Sequence, residues 1–331
     1  MNLATTYLGM RLPHPLMVGA GPLTDDVDKV KELEDQGAAA LVLRSLYEEE
    51  ITGEQMAAFF QSESYGESFA EATSYAPDPE VPLGPDEYLE HLRRVKEAVG
   101  IPVIASLNGT TPGGWTSHAR LMEQAGADAL ELHIFHAASD PRTSAADVER
   151  QMIEIVRAVK EGLHIPVAVK LSPLFTAFAH FARQIDQAGA DGLVLFTRFH
   201  NVDIDVLELE VLRTLPLSDS SDLQLRLRGT AALAGRVKAS LAITGGVHTA
   251  LDVIKATMAG AHVTQMVSAL LRNGPRYLRV VRSDLEAWMK ENEWGSLEEM
   301  RGNMGFERIP DPASYEREQF RMMLRSVPPP G

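Results

Sequence analysis

The chain alternates short apolar runs with stretches whose apolar positions recur at helical spacing. Leu16–Gly19 reads as a buried strand, about Asp25–Gln36 as a helix, and Ala39–Leu43 as a second strand ending at Arg44. A long connection, residues 45–85, mixes acidic, aromatic and turn residues, the composition of a functional cover or lid. Asp86–Val99 then reads as a helix with acidic residues at its start and basic ones further on, which suits the helix dipole. Further strands are expected at residues 101–107, 129–135, 165–171, 188–196, 241–244 and 261–267. Helices are expected near Thr116–Gln124, Ala145–Lys160, Ala231–Ala239, Leu251–Ala259 and residues 275–290, with one more before residue 188.

This makes eight short buried strands alternating with helices, and the step AGAD or AGAH leads into the fourth, sixth and eighth. The pattern predicts an α/β fold, a (β/α)8 TIM barrel with an extended loop after strand 2, an insertion after strand 6 and a C-terminal tail. Residues 1–290 would form the barrel and residues 291–331 a C-terminal extension packed on or near it. Within the insertion after Phe199, a short hairpin is expected, with DLQLRLRG (residues 222–229) as one candidate arm. An open doubly wound sheet is the competing architecture. GAGPL after the first strand has glycines but lacks the full GxGxxG arrangement of a dinucleotide site.

Composition narrows the function. The 331 residues include no cysteine, so the chain supplies no disulfide, thiolate nucleophile or cysteine-ligated cluster. A formal charge of −15 disfavours a general nucleic-acid-binding role. No stretch is long and apolar enough to span a membrane, and the N-terminus lacks a secretory pattern, so a cytoplasmic location is expected.

The sharpest local signal runs from residue 242 to 271. The seventh strand ends at Gly245–Gly246, where backbone amides can approach a phosphate without side-chain collision. The eighth ends near Val267–Ser268, whose hydroxyl adds a donor. Adjacent loops of this kind, with a helix N-terminus, form a common phosphate cradle in barrels. Tight turns with no ligand are the plainer alternative.

The combination of TTYLGMRLPHPLMVGAG, VKLSP, ITGGV and AGAHVTQMVSAL resembles the dihydroorotate dehydrogenase family, over most of residues 3–285, and is most similar to its soluble class 1 branch. The resemblance implies a barrel with FMN at the C-terminal ends of the strands. It also implies oxidation of dihydroorotate to orotate, a step of pyrimidine biosynthesis, with electrons passed onward from the flavin to an acceptor or partner subunit. A homodimer is a further expectation from the family. Carried over by motif, Lys170 in VKLSP is the clearest flavin contact and the cation that would stabilise the reduced ring. Gly245, Gly246, Val267 and Ser268 match the phosphate region, and Ala20 and Gly21 the backbone beneath the ring. Gly229 in RLRG is expected in an additional phosphate-facing loop. Arg44, beside Ser45, falls where the family commonly has a flavin-side lysine; pairing with Glu48, Glu49 or Glu50 is the alternative. Ser106 and Asn108 lie near the strand-three rim, within reach of the pyrimidine edge of FMN.

The substrate side departs from the family. Against a class 1 pattern close to ELNxSCPN, this chain has ELHIFHAA. His133 falls on a substrate-binding Asn, His136 on the catalytic Cys and Ala138 on another Asn. After the sixth strand, Thr197–Arg198 stands where the family often has Asn followed by Ser or Thr. His136 is the candidate general base, while His133, Thr197 and Arg198 are the candidate substrate contacts. The H-x-x-H spacing lacks a ligand set, so no metal is expected. The leading expectation is an FMN-dependent CH–CH oxidoreductase for dihydroorotate or another small cyclic or carboxylated substrate. A noncatalytic flavin or metabolite sensor and a non-flavin phosphate enzyme such as an isomerase or aldolase are the alternatives.

Overall fold

A computed structural model describes residues 1–51, 84–109, 115–134, 139–197, 203–212, 216–311, 315, 321–323 and 325. The expected cover after strand two falls largely on residues 52–83, outside the described residues, as do His136, Ala138 and Arg198.

The chain opens with a small hairpin, β1 (Thr5–Tyr7) and β2 (Met10–Leu12). Then come β3 (Leu16–Val18), β4 (Leu41–Tyr47), β5 (Val103–Gly109), β6 (Ala129–Ile134), β7 (Val167–Leu171) and β8 (Gly192–Leu195). A second hairpin, β9 (Asp203–Asp205) and β10 (Glu210–Leu212), precedes β11 (Ser240–Thr244) and β12 (Val263–Met266). Eight of these strands pair in parallel in chain order, and β12 returns to β3, so the sheet closes into the expected barrel and the open-sheet alternative is excluded. The principal helices are α1 (Val27–Asp35), α2 (Pro85–Ala98), α3 (Trp115–Gln124), α4 (Ala145–Gly162), α5 (Phe178–Gln187), α6 (Leu223–Leu233), α7 (Ala250–Ala259), α8 (Ser268–Asn273), α9 (Tyr277–Glu291) and α10 (Leu297–Met300).

The recurring AGAD step has a physical cause. Its glycines, Gly126, Gly189 and Gly260, take left-handed backbone and turn the chain from helix to strand. The residue that follows Gly-Ala then accepts from an amide at the start of the preceding strand. Asp128 accepts from the Val103 amide at 2.7 Å, Asp191 from Val167 at 2.8 Å, and His262 Nδ1 from Leu241 at 3.0 Å. Lys96 and Lys160, from the ends of α2 and α4, pair with Asp128 and Asp191. The motif therefore ties one barrel unit to the next.

Strand alternation sorts two cores. Leu130, Leu132, Val167, Val169, Leu193 and Leu195 face the helices. Met17, Val42, Ile104, Ala129, Ala168, Val194, Ala242 and Val263 fill the barrel interior with Tyr7, Leu8 and Leu12 of the N-terminal hairpin. The Leu8 amide donates to Ser240 Oγ at 3.1 Å, so this hairpin closes the end of the barrel where the strands begin.

Two local expectations are corrected. DLQLRLRG is not a hairpin arm, because residues 223–233 form α6. Its leucines alternate, but Leu225 is exposed, and the buried positions Leu223, Arg226, Gly229, Thr230 and Leu233 follow helical spacing. The hairpin in the insertion is β9–β10 instead, and the helix expected at Ala231–Ala239 begins earlier and ends at Leu233. Beyond α10, the amides of Gly302, Met304 and Phe306 donate to the carbonyls of Thr257, Met258 and Ala231, which ties this stretch to α6 and α7.

Candidate active site at the barrel mouth

At the C-terminal ends of the strands, the inward positions become polar. In register across neighbouring strands lie Ser45 opposite Ser106, Asn108 opposite His133, and His133 opposite Lys170. The two serine hydroxyls are 2.7 Å apart, and Asn108 Nδ2 is 2.9 Å from His133 Nδ1. The sequence-derived candidates on four adjacent strands thus share one wall.

Arg44 pairs with Asp25, an acidic partner outside the Glu48–Glu50 set, and its charge also acts on Glu50, one of the three residues named for its alternative role. The β4–β5 register shifts between Val42 and Ser45, a bulge that re-aims the intervening side chains. The Arg44 amide donates to Thr24 Oγ1 at 3.0 Å and its guanidinium to Asp25 Oδ2 at 3.0 Å. Those partners belong to the turn after β3, where Ala20 and Gly21 also lie.

Lys170 is buried, with its ammonium donating to Glu131 Oε1 at 2.6 Å. Gln265 Nε2 donates to the other carboxylate oxygen at 2.7 Å. Glu131 is fully buried and, like Ala129, points into the barrel. Its charge helps to raise the Tyr7 phenol well above its ordinary pKa, although burial is the larger cause. Neither Glu131 nor Gln265 stands out in sequence, because each sits in a strand whose neighbours look like ordinary core.

A second cluster forms beside this wall. Val267 packs against the turn after β3, since a Cβ on Gly21 would lie 3.0 Å from Val267 Cγ1. Gly245 and Gly246 have φ of +80° and +78°, and the next strand ends at Val267–Ser268. Between them comes the segment Leu217–Asp219, unrecognised in the sequence. Ser218 accepts from the Gly246 amide at 3.4 Å, its amide donates to Ser268 Oγ at 3.2 Å, and its hydroxyl lies 3.1 Å from His248 Nε2. Arg272 holds the same segment through the carbonyls of Ser218 and Leu217. Burial and the Arg272 charge lower the His248 pKa, favouring a neutral ring.

Gly229 is not in this loop. It lies inside α6, where a Cβ would come 2.6 Å from Phe196 Cζ, so its small size serves packing against that ring. The loop beside the glycine turn is Leu217–Asp219, which precedes α6. Thr197 is buried, and its amide donates to the Leu171 carbonyl at 2.9 Å, which places it next to the end of β7.

The two clusters are joined by Gln265, two residues before Val267 and bonded to the carboxylate that holds Lys170. The mouth therefore combines a glycine-and-hydroxyl cup, able to receive an anion on backbone amides, with a wall of hydrogen-bonding side chains.

Residues 2–289 match the family model for dihydroorotate dehydrogenase. A protein of Thermoplasma acidophilum named the catalytic subunit of dihydroorotate dehydrogenase B (NAD(+)) is 27% identical over 91% of this chain and 98% of its own length. A putative dihydroorotate dehydrogenase A (fumarate) of Aeropyrum pernix is 26% identical over 91% of this chain and 97% of its own. PreA, a subunit of the NAD-dependent dihydropyrimidine dehydrogenase of Escherichia coli, is 23% identical over 91% of this chain and 76% of its own.

Proposed function

This chain belongs to the dihydroorotate dehydrogenase family of oxidoreductases, and from that premise we propose that it binds FMN and oxidises a CH–CH bond of a reduced pyrimidine or similar small ring. Dihydroorotate is the first substrate to test.

The residues present fit the cofactor. The left-handed turn at Gly245–Gly246 presents bare backbone and packs closely on the start of α6: a Cβ on Gly246 would lie 2.4 Å from the Leu223 amide nitrogen, so only glycine keeps this turn. Ser268 and Ser218 offer hydroxyls at the same cup. On the inner wall, Gln265 Oε1 is buried and has no hydrogen-bond partner among the described residues, which suits a ring N–H donor. Gly245, Gly246, Val267 and Ser268 would hold the phosphate; Ala20, Gly21, Ser45, Ser106, Asn108 and Lys170 would hold the ring. When bound, FMN supplies a nitrogen that accepts hydride.

The chain's own part is positioning and proton handling. Asn108 orients His133 through Nδ1, and His133 with Thr197 and Arg198 would face the substrate. His136 is the proposed base that takes the proton from the carbon beside the hydride donor. Its support is its place in ELHIFHAA, three residues after His133. Two of the similar proteins are named for dihydroorotate and one for a dihydropyrimidine, which makes a reduced pyrimidine the common substrate class. The relative named a catalytic subunit supports onward transfer of electrons to a second subunit.

The observation that carries this reading is the link from cup to wall through Gln265 and Glu131 to Lys170. A substrate other than dihydroorotate is favoured by one feature: His133 replaces an amide where the family grips orotate. Anaerobic stopped-flow absorbance of FMN-loaded protein mixed with dihydroorotate tests both. Rapid bleaching with orotate formed supports the named substrate. Flavin that only a chemical reductant bleaches directs the search to another ring. Folded protein that does not retain FMN overturns the proposal.

A further inference from the structure

We infer that Glu131 is a positioning residue that cancels the charge of Lys170 and thereby lowers the reduction potential of the flavin bound above it. The inference rests on the reading that FMN lies at this mouth.

Glu131 occupies an inward position of β6 between Ala129 and His133. Around it the interior is apolar: Ile104, Ala129, Ala168 and Val263 lie on the same inner surface. An isolated carboxylate there would be expelled or neutralised. Both of its oxygens are instead engaged, one by the Lys170 ammonium at 2.6 Å and one by the Gln265 amide at 2.7 Å. The ammonium is itself buried, so water screens the pair weakly. Lys170 and Glu131 together present no net charge to a ring at the rim.

An unpaired ammonium under the pyrimidine edge would favour the reduced flavin, which carries more negative charge there. Glu131 removes that preference while Lys170 still donates from a fixed position. The consequence is a flavin poised to release electrons to an acceptor.

The test compares Glu131→Gln with the parent protein. Gln keeps the shape and can still accept from Lys170, but leaves the ammonium unbalanced. FMN affinity, read by fluorescence titration, should change less than about threefold, because oxidised FMN has a neutral ring. The equilibrium constant for two-electron reduction should rise about tenfold or more, about 30 mV in midpoint potential. An unchanged or lower potential overturns the inference. If that variant does not fold, Glu131→Gln with Lys170→Gln replaces the pair by neutral amides, and its reduction constant should stay within about threefold of the parent. A large fall in the double variant would mean that the lysine charge acts uncancelled, which also overturns the inference. Absence of FMN binding by the parent protein refutes the functional reading instead.

Discussion

Asn108 and His133 are direct neighbours on adjacent parallel strands, with the amide nitrogen of one 2.9 Å from Nδ1 of the other. A donating amide occupies the Nδ1 lone pair and leaves the ring proton on Nε2. His133 then presents a donor where an asparagine would present a planar donor and acceptor together. Replacing His133 by Ala should lower kcat/KM for the ring substrate by about 1–3 kcal/mol, roughly five- to 150-fold, with FMN affinity nearly constant. Steady-state kinetics beside FMN titration checks this. Equal losses in both would make His133 part of the cofactor frame.

Gly246 is the most sterically constrained residue of the cup. A Cβ there meets the backbone of Asp222 and Leu223 at 2.8 and 2.4 Å, and its φ of +78° disfavours any side chain. Backbone cannot swing aside as a flexible side chain can. Gly246→Ala should cost about 1–2 kcal/mol from the left-handed conformation and a further 1–3 kcal/mol, roughly, from overpacking. Chemical denaturation reads the stability loss, and FMN titration should show weakened retention. Wild-type behaviour in both would place the phosphate elsewhere.

Much of this was legible in the sequence because the causes are local. The eight strands announce themselves as apolar runs, and AGAD combines a helix-ending glycine with an acceptor for a neighbouring strand. Lys170, Gly246 and Ser268 lie at strand ends, where barrel geometry alone makes them candidates. Glu131, Gln265 and Ser218 were illegible because their partners lie far along the chain: Glu131 and Gln265 are 134 residues apart. In α6, alternating leucines imitate a strand, but the surrounding helices and strands select the face on which Arg226 is buried and bonded to the carbonyls of Asp222 and Thr244. Gly229 is a case where the residue type was informative and the cause was not: it clears Phe196.

Asp252 stabilises the same end of the barrel from behind. It is buried and accepts from the amides of His248 and Thr249 and from the hydroxyls of Thr249 and Ser220. It thus caps α7 and ties the residues ahead of α6 to the glycine turn. Asp252→Ala would leave several buried donors without an acceptor, at a cost of about 3 kcal/mol. Asp252→Asn retains one acceptor oxygen and should cost less. Urea denaturation of the three proteins should rank them parent, Asn, Ala, and any other order contradicts the capping role.

Two histidines should make the fold sensitive to acid. Burial, reinforced by the charge of Arg282, lowers His14 to about 4. Burial, reinforced by Arg301, lowers His262 to about 4 as well. Both therefore fold as neutral rings, and His262 uses its unprotonated Nδ1 to accept from the Leu241 amide. With the folded value below the unfolded value of 6.5, the unfolded chain binds protons first as pH falls. Their contribution is complete above that value and is lost progressively down to about 4. At pH near 4.5 the loss should be about 2 kcal/mol for His14, and less for the partly exposed His262. His262→Asn tests the sign, since an amide oxygen can accept from Leu241 without titrating. Its stability at neutral pH should lie within about 1 kcal/mol of the parent, and its decline between neutral and acid pH should be shallower. Urea midpoints across that range provide the measurement, and a slope as steep as the parent's would remove His262 from the account.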